Sequence, residues 1–167
     1  MMPFPLPAEP QPDDPFMLFF TSGTTASPKA TLHTYNMRLT NSWICARDMG
    51  VQKDDGMLCP SPMSHLWGLL NYWSSVIQGC PQVLLERYTP EEFRRTVSRG
   101  ETTVIVGAPA HAMDLLAAPS LDAEILSKIR RFALSGTTCP SQLVGRMREQ
   151  LPNCKPIVFW GMTEMGG

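Results

Sequence analysis

The sequence predicts an α/β fold in which a mostly parallel sheet is flanked by helices. Short apolar runs alternate with segments of helical periodicity along most of the 167 residues. When strand and helix alternate in this way, successive strands are joined by crossover helices and run parallel. Apolar residues make up 43% of the chain, which is typical of a globular protein. Charged residues make up only 17%, as expected for a larger buried protein or a piece of one.

The first elements follow from apolar runs and capping residues. Residues 16–20 form an apolar run that predicts a short buried strand. Thr34 is a candidate N-cap for the helix that follows it. A second short strand is expected at 57–59, and a helical stripe over 66–77 ends at Gly79.

The second half of the chain continues the alternation. Further strands are predicted at 82–86, 103–106, 132–134 and 157–159. Thr89 caps a helix with Pro90 in its first turn, and Glu92 is expected to complete a capping box. Another helix follows from Pro109, and the last one spans the apolar face from Leu143 to Leu151.

Composition excludes several classes of function. The formal net charge of −1 provides no general attraction for nucleic acid or an anionic membrane. The five cysteines include no CxxC pair, and the three histidines form no HExxH, so no metal site is visible. Residues 1–15 are proline-rich and acidic, which predicts a linker or extended arm rather than a signal peptide. No apolar stretch is long enough to span a bilayer, and we expect reduced thiols in a cytoplasmic protein.

The most informative segment is 21–29, Thr-Ser-Gly-Thr-Thr-Ala-Ser-Pro-Lys, which directly follows a predicted strand. Its hydroxyl groups and backbone N–H groups are suitable donors for a polyphosphate, and Lys29 supplies a compact positive charge. A Ser/Thr/Gly turn that ends in a solvated lysine has the same composition. The segment is not the GxxxxGK[ST] loop, because Ala30 follows the lysine and the glycine spacing differs.

Residues 20–30 resemble the phosphate-loop signature of the adenylate-forming superfamily, which includes acyl-CoA synthetases, adenylation domains of peptide synthetases and luciferases. The usual form of that signature has glycine where this chain has Ala26, and usually glycine at Ala30. If the loop needs a positive φ at position 26, alanine is strained there by about 1 kcal/mol. Either the loop takes another shape or phosphate binding is weakened.

Three further segments match the superfamily in the expected order. Residues 60–68, Pro-Ser-Pro-Met-Ser-His-Leu-Trp-Gly, resemble the motif that lines the acyl pocket. Residues 134–140, Leu-Ser-Gly-Thr-Thr-Cys-Pro, resemble the segment beside the adenine. Residues 160–164, Trp-Gly-Met-Thr-Glu, resemble the aromatic-Gly-x-Thr-Glu motif. Four motifs in order identify the chain as resembling this superfamily from Asp13 onward.

The resemblance implies a set of nucleotide contacts. Lys29 and the loop donors would hold the β- and γ-phosphates, Thr163 would donate to the α-phosphate, and Glu164 would hold Mg²⁺. The face of Trp160 would stack on the adenine, with plain packing at a strand end as the alternative. The implied nucleotide-binding residues are Thr21, Ser22, Gly23, Thr24, Thr25, Lys29, Gly136, Thr137, Thr138, Trp160, Gly161, Met162 and Thr163.

The resemblance also implies an acyl pocket. His65 would lie near the reacting carboxylate, although a histidine hydrogen-bonded within its own loop is an equal alternative. Trp67, Gly68 and Gly107 are expected as pocket walls. Such walls are apolar and aromatic, which favours an aryl, alicyclic or fatty acid over a polar amino acid. Lys29, His65, Thr163 and Glu164 are therefore the expected catalytic residues.

The implied reaction converts a carboxylic acid and ATP to an acyl-adenylate, followed by thioester formation with CoA. The expected ligands are therefore ATP, Mg²⁺, CoA and a small carboxylic acid. Superfamily enzymes are much longer, so residues 16–167 are expected to be part of an AMP-binding domain that is inactive without the remainder of the enzyme. Two alternatives remain open: a non-catalytic nucleotide-binding or interaction module on the same scaffold, and a phosphate-binding domain outside the superfamily.

Overall fold

The structure is a computed structural model that describes residues 9–21, 28–117 and 121–166. Its strands are β1 (Pro15–Thr21), β2 (Lys29–Thr34), β3 (Met57–Leu58), β4 (Gln82–Val83), β5 (Val104–Gly107), β6 (Arg131–Leu134) and β7 (Lys155–Val158). Its helices are α1 (Tyr35–Met49), α2 (Leu66–Gln78), α3 (Pro90–Val97), α4 (Pro109–Leu116), α5 (Ala123–Lys128) and α6 (Ser141–Gln150). A 3₁₀ turn spans Thr163–Met165. None of the helices in these ranges combines the length and the apolar character that crossing a bilayer requires.

A parallel sheet of five strands forms the centre of the described chain, in the order β4-β3-β5-β6-β7. This sheet confirms the predicted α/β class. After β3 the chain crosses to β4 on one side, and after β4 it returns to β5 on the other side of β3. The strand order therefore reverses between β3 and β5, which is where open α/β sheets bind ligands beyond their carboxyl ends.

The two faces of this sheet pack against different helices, because successive strand residues point to opposite faces. Ile105 and Phe132 lie in a core cluster with α3, α4 and α6. Val104 and Ala133, each adjacent in sequence to one of those residues, lie in a second cluster with α1. The sheet is consequently covered on both faces and forms the middle layer of three.

The strand predicted at 16–20 is present, but two of the expectations about it are wrong. It pairs with β2 as an antiparallel hairpin, in a sheet separate from the parallel one. It is also not buried throughout: Phe19 is buried, whereas Leu18 and Phe20 point outward and are 56% and 69% exposed. The apolar run at 16–20 is only partly buried because one face of the hairpin packs against the protein, so that alternate side chains of the strand point into solvent.

Helix ends follow the capping residues closely. The Thr34 side chain accepts a hydrogen bond from the Met37 N–H, and Thr89 accepts one from the Glu92 N–H. Gly79 ends α2 in the left-handed conformation, with φ of 67°. The capping box predicted at Glu92 does not form, because that carboxylate pairs with Arg95 one turn later.

One other expectation needs correction: the strand predicted at 82–86 is limited to Gln82–Val83, and the following residues leave the sheet.

The described part of the predicted N-terminal arm contacts the rest of the protein. Residues 11–14 form a turn, and the Pro12 carbonyl accepts a hydrogen bond from the Asn36 N–H. Residues 1–8 lie outside the described part of the chain.

Candidate active site

A cleft of about 860 Å³ opens at the carboxyl edge of the parallel sheet. The segments that follow β3, β5, β6 and β7 all contribute to its walls, together with one side of α1. Because parallel strands all end at the same edge, segments distant in sequence meet there without any long connection. The edge of the sheet thereby defines the position of the site.

The cleft brings together residues from three of the four motifs. Its lining includes the predicted residues His65, Trp67, Gly136, Thr137, Trp160, Gly161, Met162 and Thr163. The residues predicted for the acyl side follow β3, and those predicted for the adenine side follow β6 and β7. Residues predicted for the two substrates therefore line one cavity.

Other predicted residues lie outside that lining. Gly68 is buried in the first turn of α2, where an added Cβ would lie 2.2 Å from the Pro62 carbonyl oxygen. Gly107 is buried at the end of β5, where an added Cβ would lie 2.6 Å from Nδ1 of His111. Both glycines allow a close approach behind the wall, whereas Ala108, the residue after Gly107, faces the cleft. Thr138 is exposed beyond the lining.

The phosphate-loop motif is only partly described. Ser22, Gly23, Thr24 and Thr25 lie outside the described residues, as does Ala26. Thr21 and Lys29 are described, and they pair at the end of the β1–β2 hairpin where the connecting segment joins the two strands. The Lys29 side chain is exposed there and has no ion-pair partner among the described residues.

His65 both caps a helix and lines the cleft. It is the N-cap of α2, where its Nδ1 accepts a hydrogen bond of 3.1 Å from the Trp67 N–H. Because Nδ1 is the acceptor, the neutral ring carries its proton on Nε2. The same exposed ring lines the cleft. The cap therefore fixes the tautomer and leaves one N–H donor for a ligand.

Aromatic side chains form the wall between the two halves of the cleft. Trp67 and Phe159 pack with ring centroids 5.7 Å apart, which joins the start of α2 to the end of β7. Trp160, the next residue, is 80% exposed and lines the cleft. A large, exposed aromatic face beside a cavity can stack on a planar ligand.

The turn that follows the aromatic wall is held by two residues that sequence reasoning missed. The buried His33 of β2 donates from Nε2 to the Thr163 carbonyl oxygen at 2.8 Å. The buried Arg38 of α1 donates from its guanidinium to the Gly166 carbonyl oxygen at 2.6 Å. Burial lowers the pKa of His33 by more than the hydrogen bond to Thr163 raises it, and the charge of Arg38 lowers it further, so the ring is neutral at neutral pH. Neither contact has a local sequence signal, because each joins segments more than 100 residues apart.

The reactivity and the metal-binding capacity of the side chains at the cleft follow from their surroundings. Cys45 lines the cleft, but burial raises its pKa to about 11, so the thiol stays protonated and is a poor nucleophile at neutral pH. Glu164 follows Thr163 but is not among the residues that line the cleft; its carboxylate is exposed and forms no ion pair or hydrogen bond within the described ranges. No group of three His, Cys, Asp or Glu side chains in the described ranges could hold a metal by itself. A cation here would need one protein carboxylate and oxygen atoms from a ligand, as Mg²⁺ accepts.

Comparison with known proteins identifies the family of the chain. The model of the AMP-binding enzyme family matches residues 3–167. The chain is 30% identical over 155 residues to the acyl-CoA ligase SID4 of Ajellomyces capsulatus, an overlap of 92% of this chain and 26% of the ligase.

Solved structures share the fold. The N-terminal domain of FACL13 from Mycobacterium tuberculosis superposes with a TM-score of 0.83 at 24% identity, over 98% of this chain and 40% of that chain. O-succinylbenzoate coenzyme A synthetase from Bacillus subtilis, in complex with AMP, superposes with a TM-score of 0.78 at 29% identity, over 95% of this chain and 32% of that chain. The chain spans about a quarter to a third of the length of the curated relatives it matches.

Proposed function

Since the chain belongs to the family of AMP-binding enzymes, we propose that it carries the nucleotide site and one wall of the acyl site of an AMP-forming carboxylate–CoA ligase. The reaction would join a carboxylic acid to ATP as an acyl-adenylate and then transfer the acyl group to the CoA thiol. Its products would be pyrophosphate, AMP and the thioester. The described residues contribute to the first of these two steps.

One observation carries this proposal: a single cleft is lined by His65 and Trp67, which follow β3, and by Thr137, Trp160 and Thr163, which follow β6 and β7. A reaction between an acid and the α-phosphate of ATP requires the two substrates to lie side by side with reacting atoms in contact. A cavity of about 860 Å³ matches the size range of small-molecule sites.

The chemistry of the step explains the residue types. A carboxylate oxygen attacks the α-phosphorus, and the bond from that phosphorus to the leaving pyrophosphate oxygen breaks. Because two anions must meet, preorganised donors and positive charge have to stabilise the transition state. We assign the Thr163 hydroxyl to the α-phosphate and the Lys29 ammonium to the β- and γ-phosphates.

The adenine would stack on the exposed face of Trp160, with Gly136 and Thr137 beside it. Gly161 and Met162 continue this wall along the cleft. The Glu164 carboxylate fits Mg²⁺, because it is exposed, next to Thr163 and unpaired among the described residues. When bound, the ion would supply neutralising charge to the triphosphate.

On the acyl side, His65 is oriented to donate from Nε2 to the substrate carboxylate, since its Nδ1 is occupied by the Trp67 N–H. This bond would hold the carboxylate for attack without transferring a proton. Ile44, Leu66 and Trp67 contribute apolar surface to the lining of the same cleft. We therefore propose an acid with an apolar tail, of the aryl, alicyclic or fatty class.

The choice of CoA as acceptor rests on the relatives, several of which are named acyl-CoA or succinylbenzoate–CoA ligases. The alternative is a module that binds nucleotide without catalysis. Ala26 and Ala30 favour it, because they stand where the phosphate-loop signature usually has glycine.

Calorimetric titration of the chain with Mg-ATP, and separately with a non-hydrolysable acyl-adenylate mimic, tests the proposal. We expect both to bind, with the mimic tighter because it fills both halves of the cleft. Trp160→Ala should weaken ATP binding by about 5- to 150-fold, the value of one base-stacking contact of about 1–3 kcal/mol. Trp43→Ala is the matched control, since Trp43 is exposed on α1 and lies outside the cleft lining.

Lys29→Met should also weaken the binding of ATP while leaving the binding of adenosine unchanged. Lys53→Met is the control and should affect neither affinity. Lys53 lies just before β3, at the opposite edge of the sheet. Failure of ATP to bind, or equal effects of the Trp160 and Trp43 variants, would contradict the proposed nucleotide site. Binding of ATP but not of the mimic would favour the non-catalytic module.

A further inference from the structure

The strand that carries Lys29 also touches the turn that carries Thr163. His33 is completely buried on β2, packs against Phe19 with ring centroids 4.8 Å apart, and donates to the Thr163 carbonyl oxygen at 2.8 Å. Lys29 and His33 are four residues apart, so the alternation of a strand places them on the same face of β2. At about 3.3 Å per residue, their Cα atoms lie about 13 Å apart.

From this geometry we propose that His33 is a positioning residue that fixes the distance between Lys29 and the Thr163–Glu164 pair. The inference rests on the proposed function, because those residues matter together only if they hold one triphosphate. His33 contacts no phosphate in this scheme. It acts through the Thr163 carbonyl, one peptide unit from the residue proposed to hold Mg²⁺.

The other anchors of the turn cannot replace this contact. Arg38 donates to the Gly166 carbonyl oxygen, and Asn41 donates to the Met165 carbonyl oxygen at 3.4 Å. Both residues belong to α1, so they fix the turn to a helix. Among the described residues, His33 alone ties the turn by a side-chain hydrogen bond to β2, the strand of the phosphate lysine.

The strand itself is rigid enough to transmit position. β2 pairs with β1 in continuous register from Thr21↔Lys29 to Met17↔His33. A paired strand cannot shorten or slide without breaking its ladder of hydrogen bonds. The position of the Lys29 Cα relative to Thr163 is therefore determined by the His33 contact at the other end.

His33 also has features that plain packing does not require. A phenylalanine would fill the same space against Phe19, whereas histidine leaves its Nδ1 buried with no partner in the described structure. An unsatisfied buried polar atom destabilises the fold. The polar ring is therefore an unfavourable choice for stability alone, and its donor to Thr163 is the feature that an apolar ring lacks.

The test uses three substitutions of His33 in the full chain. Gln places an amide N–H close to the position of the histidine Nε2, whereas Asn is too short to reach Thr163, and Phe keeps the ring without a donor. Affinities for Mg-ATP and for adenosine are measured by calorimetry. We expect the Asn and Phe variants to have an affinity for ATP about 3- to 10-fold weaker than the wild type, the equivalent of one hydrogen bond. Their affinity for adenosine should be unchanged, and the Gln variant should bind ATP nearly as well as the wild type.

A double-mutant cycle with Lys29→Met separates positioning from general destabilisation. Once Lys29 is absent, its distance from Thr163 has no consequence, so His33→Asn should lose most of its effect on ATP. Equal loss of ATP and adenosine affinity, additivity with Lys29→Met, or a Gln variant as weak as Asn would overturn the inference. Absence of ATP binding by the wild-type chain would instead overturn the proposed function, and this inference with it.

Discussion

Arg130 holds the carboxylate of Asp55 with two guanidinium nitrogens at the amino edge of the parallel sheet, the edge opposite the cleft. Asp55 is almost fully buried, and it also accepts hydrogen bonds from Thr103 and from the Gln52 N–H. Burial by itself would raise the pKa of Asp55, but these donors outweigh burial and the pKa is lowered. Asp55 lies two residues before β3 and Arg130 immediately precedes β6, so their pairing ties separate strands together.

Replacing Arg130 with methionine should reduce the free energy of unfolding by about 3–5 kcal/mol, because it leaves a buried carboxylate without its counter-charge. Urea denaturation at neutral pH measures this change. Asp54→Asn is the control, since Asp54 is exposed beside the pair and should alter stability by less than about 0.5 kcal/mol. A small effect of the Arg130 variant would show that water or another group satisfies Asp55.

The pH dependence of stability should reveal the buried His111. Burial lowers its pKa despite the nearby Asp114 carboxylate, and its Nδ1 accepts from the Ala108 N–H. The unfolded chain then takes up a proton near pH 6.5 while the folded chain does not. Stability from this group is therefore complete above pH 6.5 and declines as the pH falls below it, by at most about 1.4 kcal/mol per pH unit.

Denaturation midpoints between pH 7.5 and 5.5 check that slope. His111→Asn keeps an acceptor for the Ala108 N–H and removes the titrating ring, so its stability should depend less on pH than that of the wild type. Identical slopes for the two proteins would mean that the pKa of His111 is the same in the folded and unfolded states.

Two helical glycines should respond in opposite ways to alanine. Gly68 has the Pro62 carbonyl oxygen where a Cβ would stand, so Gly68→Ala should cost about 1–3 kcal/mol and displace the loop that carries His65. Gly145, within α6, has open space at that point, so Gly145→Ala should stabilise by about 0.5–1 kcal/mol. Thermal unfolding of both variants provides the measurement. Stabilisation by Gly68→Ala would show that the approach to Pro62 relaxes easily.

The outer face of the β1–β2 hairpin should promote self-association. Leu18 and Phe20 lie on it, and Leu32, 51% exposed, stands opposite Leu18 on the neighbouring strand. Contiguous apolar surface of this kind is a typical contact site. Replacing both β1 residues with threonine should shift sedimentation at high concentration toward monomer. Leu84→Thr, which alters an exposed leucine beyond β4, should leave it unchanged.

Most helices and strands of the parallel α/β fold could be predicted from the sequence, because capping residues and apolar runs act locally. Thr34 and Thr89 satisfy backbone groups three residues away, and Gly79 ends a helix through its own conformation. β2 was missed because its residues, Lys-Ala-Thr-Leu-His-Thr, contain no apolar run. α5 was missed because six residues present too few apolar positions to show a period.

The sequence motifs include many of the residues that line the cleft, but they do not reveal which residues hold those motifs in place. His65 was expected in a pocket and does line the cleft, whereas its capping bond to the Trp67 N–H depends on where α2 begins. His33 and Arg38 could not be found, since no pattern near either residue indicates a carbonyl acceptor at the far end of the chain. Gly68 and Gly107 were expected at the surface of the pocket, and the structure places both one layer behind it.

The bonds from His33 to Thr163 and from Arg38 to Gly166 span 130 and 128 residues of sequence. Closing so long a loop costs chain entropy that only contacts made elsewhere can offset. We therefore expect the turn at Thr163–Met165, proposed to bind the triphosphate, to become ordered only after the sheet and helices have assembled. A nucleotide would then select molecules that have completed folding, and its binding would report on the integrity of the whole domain.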